Sequence, residues 1–154
     1  MKKRIGVFSF TCCEGCVVVF IETLNKRYDK WIKKMKIENM RTLRKVKPIC
    51  DLDIALVEGA ISTPSEIKRL KEIRSKSKKL VALGSGAING YPSNQRNKFD
   101  AQKKKEIKEL VEKLGQIDKI SPIGKFVKVD DKIPGCPVEE DILIKKIDGY
   151  LKEV

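Results

Sequence analysis

The sequence predicts an α/β fold, a mostly parallel sheet with helices on both faces. Three observations carry that prediction. Short apolar runs alternate with amphipathic stretches, the clearest helix lies between the two clearest strands, and Glu58-Gly59 and Gly84-Ser85-Gly86 close those strands with turn residues. At 154 residues the chain suits one domain, 1–154, whose core needs neither disulfides nor metals to hold it.

The elements follow in order. Residues 4–10 form a short apolar run, read as a buried first strand. Residues 14–24 carry Val17, Val18, Val19, Phe20, Ile21 and Leu24; length and position favour a helix over a strand despite the β-branched run. A weaker alternation over 34–41 suggests an edge strand, and residues 53–57 a stronger one. Thr63, Pro64 and Glu66 then supply a cap, a first-turn proline and a capping box for a helix that turns Ile67, Leu70 and Ile73 to one face. Residues 80–83 are another buried strand. A polar loop through Asn89 to Asn94 leads to a lysine-rich helix with Ile107, Leu110, Val111 and Leu114 expected inward. Residues 126–129 are the last strand candidate, and Ile142, Leu143, Ile147 and Leu151 mark a closing helix.

Five cysteines and no histidine occur in this chain, and three of the cysteines crowd into Cys12-Cys13-Glu14-Gly15-Cys16 directly after the first strand. Thiolates without imidazole point to soft-metal chemistry, above all iron-sulfur. In an open parallel sheet, ligands bind beyond the carboxyl ends of the strands. The cysteine loop, the Glu58-Gly59 turn, the 84–90 loop and the Pro134-Gly135-Cys136-Pro137 turn are all expected on that edge. Cys13 and Cys16 stand three apart, so both sulfurs face one metal in a turn entering a helix, and Gly15 lets the backbone pass close to a bulky group. Helix amino termini near Cys16 and Cys136 favour thiolate. Two rival chemistries use the same residues, a thioredoxin-like dithiol at Cys13 and Cys16, and structural zinc on four cysteines. Cys50, placed just before a strand, is expected at the opposite end as a buried apolar residue.

The net charge of +13 raises nucleic-acid binding, but lysine and arginine are mixed with 21 acids over most of the chain. Residues 25–47 are the exception and suit a basic docking surface for an acidic partner. The amino terminus lacks the apolar stretch of a signal peptide and no run reaches a membrane span, so a cytoplasmic protein is expected. The glycines at 84–90 lack nucleotide-loop spacing.

Cys13-Glu14-Gly15-Cys16, residues 53–61 (Asp-Ile-Ala-Leu-Val-Glu-Gly-Ala-Ile), 82–87 (Ala-Leu-Gly-Ser-Gly-Ala) and Pro134-Gly135-Cys136-Pro137 resemble, in order, the small subunit of nickel-iron hydrogenases and the 20 kDa-type subunit of NADH:quinone oxidoreductase. The resemblance implies a flavodoxin-like three-layer domain holding the 4Fe-4S cluster nearest a catalytic large subunit. It makes Cys13, Cys16 and Cys136 ligands, with Glu14, Gly15, Glu58, Gly59, Gly86 and Pro137 lining the site. The family pattern has a further cysteine where this chain has Gly86. Cys12 is the expected substitute, because the respiratory relatives use adjacent cysteines in this loop; a 3Fe-4S cluster, a non-protein ligand and no cluster are the other outcomes. With no further cysteines after Cys136 and no nickel-binding pairs, the chain is expected to act with a hydrogenase-like large subunit and a ferredoxin-like or flavin electron-transfer subunit, and not to be catalytic alone. A non-redox scaffold or basic nucleic-acid-binding module is the competing class.

Overall fold

A computed structural model describes residues 1–43 and 47–152. Arg44 and Lys45 of the basic segment lie outside the described residues. The strands β1 (Lys3–Ser9), β2 (Met35–Met40), β3 (Leu52–Glu58), β4 (Ser77–Leu83) and β5 (Asp131–Ile133) form one parallel sheet in the order β2-β1-β3-β4-β5. The connections run outward in opposite directions from β1 and β3. The crevice beyond their carboxyl ends is therefore where such a sheet accepts a ligand.

The helices are α1 (Gly15–Lys26), α2 (Tyr28–Trp31), α3 (Pro64–Ser75), α4 (Gly84–Asn89), α5 (Ala101–Lys113) and α6 (Glu140–Tyr150). Alternation along the strands sorts the core into two halves. Ile5, Val7, Ile54, Leu56, Val81 and Leu83 turn to one face, covered by Phe20 of α1 and by Leu143 and Ile147 of α6. Phe8, Ala55, Val57, Leu80 and Ala82 turn to the other, against Leu70 and Ile73 of α3 and Ala87 of α4. Burying each large aliphatic side chain contributes about 1.5–3 kcal/mol. This is the flavodoxin-like three-layer arrangement.

Phe20 stacks on Trp31 with 6.3 Å between ring centroids. Asp148 of α6 then fastens this corner, accepting 2.8 Å from Trp31 Nε1 and 2.6 Å from Lys30 Nζ. Burial pushes its carboxyl up, but the bonds from Lys30 and Trp31 outweigh that and hold it below the ordinary range. A depressed folded pKa stabilises the fold above the unfolded carboxylate's pKa, and the contribution is lost as pH falls through the folded value. Asp148→Asn is thus expected to lower the melting temperature at neutral pH, with the difference from wild type shrinking as the pH falls below the ordinary aspartate pKa of about 3.9.

Three expectations are corrected. Residues 126–129 are not a strand; Phe126 and Val127 follow a 3-10 turn at Ile123–Lys125 and pack on the second core half, while β5 pairs Val81 with Asp131 and Leu83 with Ile133. Their apolar character serves packing rather than pairing. Leu110 of α5 and Leu114 at its C-cap are 56% and 57% exposed, Ile107 and Val111 are half-buried, and no residue of that helix is fully buried. Periodicity marked a stripe without specifying a surface to cover it. The 84–90 segment is helical through α4 rather than a loop, closed by Gly90 at φ 84°.

Candidate functional site

The carboxyl end of β1 leads into the cysteine loop, and two backbone bonds of 3.0 Å between Thr11 and Ala60 lash that loop to the turn after β3. On the far side, the backbone N–H of Ser85 at the start of α4 donates to Gly135 O at 2.8 Å, and its hydroxyl donates to the same oxygen at 3.1 Å. Three loops remote in sequence are thereby drawn to one crevice. Cys12, Cys13, Cys16 and Cys136 line its cavity of about 60 Å³ together with Glu58, Gly59, Gly86 and Pro137.

Glu58 is the last residue of β3. It is 3% exposed, and its carboxylate accepts the backbone N–H of Cys16 at 3.2 Å and of Val17 at 3.0 Å. The first turn of α1 needs such an acceptor, because Glu14 at the N-cap sits at φ 61° and makes no side-chain cap bond. A strand end 42 positions away therefore caps the helix that carries Cys16. Burial pushes the Glu58 carboxyl up, against the lowering effect of the two amide bonds. Glu58→Gln keeps the size but aims an amide N–H₂ at one of two N–H donors. A loss of about 1–3 kcal/mol by denaturant titration is expected, with faster modification of the Cys16 thiol by a disulfide reagent.

Cys16 is 5% exposed, and burial pushes its thiol up to about 12 although the Val138 N–H partly offsets this. Burial likewise pushes half-buried Cys12 up to about 11, against a bond from the Glu14 backbone. Both hold their protons at neutral pH until a cation competes for the sulfur. Cys13 and Cys136 are exposed at the rim. Small residues make the room: a Cβ on Gly84 would stand 2.4 Å from Cys16 Sγ, and one on Gly86 would stand 3.2 Å from Gly59 Cα.

Two expected lining residues stand apart from the cavity wall. Glu14 is exposed, with its backbone left-handed at φ 61°, and Gly15 packs behind Cys13 and Pro137, its Cβ position 3.4 Å from Cys13 Sγ. Cys50 lies before the amino end of β3, half-buried rather than buried, with its sulfur 4.0 Å from Asn39 Oδ1. Arg96 and Asn97 donate to the Ile117 and Ile120 carbonyls and Asn94 to Asn89 O, so they brace their own loops. Tyr91, Pro92 and Ser93, within the polar loop expected from Asn89 to Asn94, also line the cavity. The signal available in sequence was their place just after the β4 turn.

Four thiols with no competing imidazole are the donor chemistry of an iron-sulfur cluster. Among the described residues, no three Cys, Asp or Glu side chains are placed to hold a single ion. In donor type and number, the four thiols fit a cluster whose irons each take one thiolate.

Residues 13–150 match the family model described as NADH ubiquinone oxidoreductase, 20 Kd subunit. The chain belongs to this family. Among its relatives is the sulfhydrogenase 2 subunit delta of Pyrococcus furiosus, 28% identical over 145 residues, which cover 90% of this chain and 57% of that protein. Another is the NAD-reducing hydrogenase HoxS subunit delta of Cupriavidus necator, 23% identical across 97% of this chain and 79% of its own length. The family fold is also that of a chain in the NAD⁺-reducing nickel-iron hydrogenase in its H₂-reduced state, with a TM-score of 0.85 and 24% identity over 98% of this chain and 92% of that one. The chain spans about half the length of the first curated relatives it matches. Among the described residues, no helix is long and apolar enough to cross a membrane.

Proposed function

We propose that this chain is the electron-transfer small subunit of a nickel-iron hydrogenase-like oxidoreductase of the cytoplasm, folded as one domain over 1–154. The observation that carries the reading is the convergence of Cys12, Cys13, Cys16 and Cys136 on one crevice at the carboxyl edge of a parallel sheet. Cys13, Cys16 and Cys136 would hold a 4Fe-4S cluster, with Cys12 supplying the thiol that Gly86 lacks. When bound, such a cluster supplies one-electron storage and relay. The residues around it do the remaining work. Glu58 fixes the start of α1, Gly84 leaves space for the Cys16 sulfur, and the Ser85 bonds to Gly135 hold the Cys136 turn in place.

The relatives are named as subunits of hydrogenases; within the same proposal, a hydrogenase-like large subunit is the catalytic partner and a ferredoxin-like or flavin subunit exchanges the electrons. The reading is tested by anaerobic purification. About four irons and four sulfides per chain, with a reducible brown chromophore, are expected. Iron-free, colourless protein after anaerobic reconstitution would favour the cluster-free scaffold, the reading to which Gly86 lends support.

A further inference from the structure

The basic segment around β2 is not used by the cysteine site. At the amino end of the sheet, Lys2, Leu24, Tyr28, Met35, Ile37 and Leu43 enclose a groove of about 440 Å³. Its floor is apolar, with Met35 fully buried and Leu24 8% exposed. Its walls are apolar too, yet open to water: Tyr28 is 54% exposed and Leu43 49%. Exposed side chains of this size around a concavity mark a contact surface more often than isolated surface hydrophobes do.

The charged side chains that line it are both lysines. Lys2 and Lys36 border the groove, and exposed Lys33 and Lys34 occupy the turn between its Ile32 and Met35. Lys36 also bridges Glu38 at 2.8 Å. Apolar depth with a cationic rim is complementary to an apolar side chain flanked by carboxylates. A nucleic-acid backbone would use the lysines and leave the floor unfilled.

We infer that this groove docks an acidic protein segment that inserts one or two apolar side chains between Tyr28 and Leu43. The groove is separate from the thiols of the crevice. Along α1, Leu24 is eight residues beyond Cys16, about 12 Å at the rise of a helix. The occupant therefore holds the subunit in an assembly without touching the cysteine crevice, and the inference stands whether or not a cluster is present.

The full-length protein would be titrated with an acetylated peptide alternating glutamate with leucine and phenylalanine, and followed by amide chemical shifts. Shifts confined to α2, β2 and the end of α1, weakened by salt, are expected, with the cysteine loop unmoved. Tyr28→Glu and Leu43→Glu, at half-exposed positions that leave the fold intact, should each weaken binding about tenfold or more. A lysine version of the peptide should not bind. Absence of peptide binding, or binding indifferent to both substitutions, overturns the inference. Stronger dependence on Tyr28 and Leu43 for anionic vesicles or RNA than for the peptide overturns it in favour of those partners.

Discussion

Cys136→Ser is expected to strip most of the iron from anaerobically purified protein while leaving the melting temperature of the metal-free chain nearly unchanged. The two halves of that result have separate causes. Cys136 is exposed, so its sulfur buries little surface and makes little contribution to the core. A serine hydroxyl is a harder donor and far less acidic than a cysteine thiol, and iron in sulfide clusters selects the softer thiolate. Cys50→Ser is the matched control, because that thiol lies near Asn39, before the amino end of β3. Equal iron in both variants would remove Cys136 from the ligand set. Cys12→Ser asks the sharper question: iron and spectrum unchanged from wild type would exclude Cys12 as the substitute for the missing family cysteine. A double variant, Cys12→Ser with Gly86→Cys, tests the same point from the other side. A Cβ at position 86 meets Gly59 Cα at 3.2 Å, tight enough to shift backbone by tenths of an ångström but not to forbid the residue. Iron lost in the single variant should return in the double one.

What the sequence made legible was what is written locally. Thr63, Pro64 and Glu66 announced α3 because a capping box is a contact between residues three apart, and both of its bonds form, Glu66 N to Thr63 Oγ1 at 3.2 Å and Thr63 N to Glu66 Oε2 at 3.0 Å. The cysteine crevice was legible because parallel order forces the strand ends onto one edge. What depended on distant partners was not. No neighbour of Glu14 reveals that α1 is capped from β3, since that bond spans 41 to 42 positions. Leu110 and Leu114 show the converse, an apolar stripe whose cover no local pattern specifies. The β5 position was missed because Phe126 and Val129 carry a strand's composition but fill the core from an irregular segment, whereas the polar Asp131 and Lys132 pair with β4.

Gly84→Ala is expected to disable the site without removing a ligand. Gly84 holds φ at 80°, where an added Cβ costs about 1–2 kcal/mol through its own backbone. The larger effect is steric. That Cβ would lie 2.4 Å from Cys16 Sγ, well inside van der Waals contact, so one of the two must move. The Cys16 side has little freedom: its residue is 5% exposed, its N–H is bound to Glu58, and the Val138 N–H bonds its sulfur. Displacement of the thiol should appear as lost iron and as faster modification of Cys16 in the metal-free protein. Gly115→Ala separates the two causes, because Gly115 also holds a positive φ, 61°, with nothing within 4 Å of its Cβ position. If both alanine variants lose the same stability and Gly84→Ala keeps its iron, the cost is backbone strain alone and the packing of Gly84 against Cys16 has no role in the site. If Gly84→Ala alone loses iron, the space beside the sulfur is what the glycine provides.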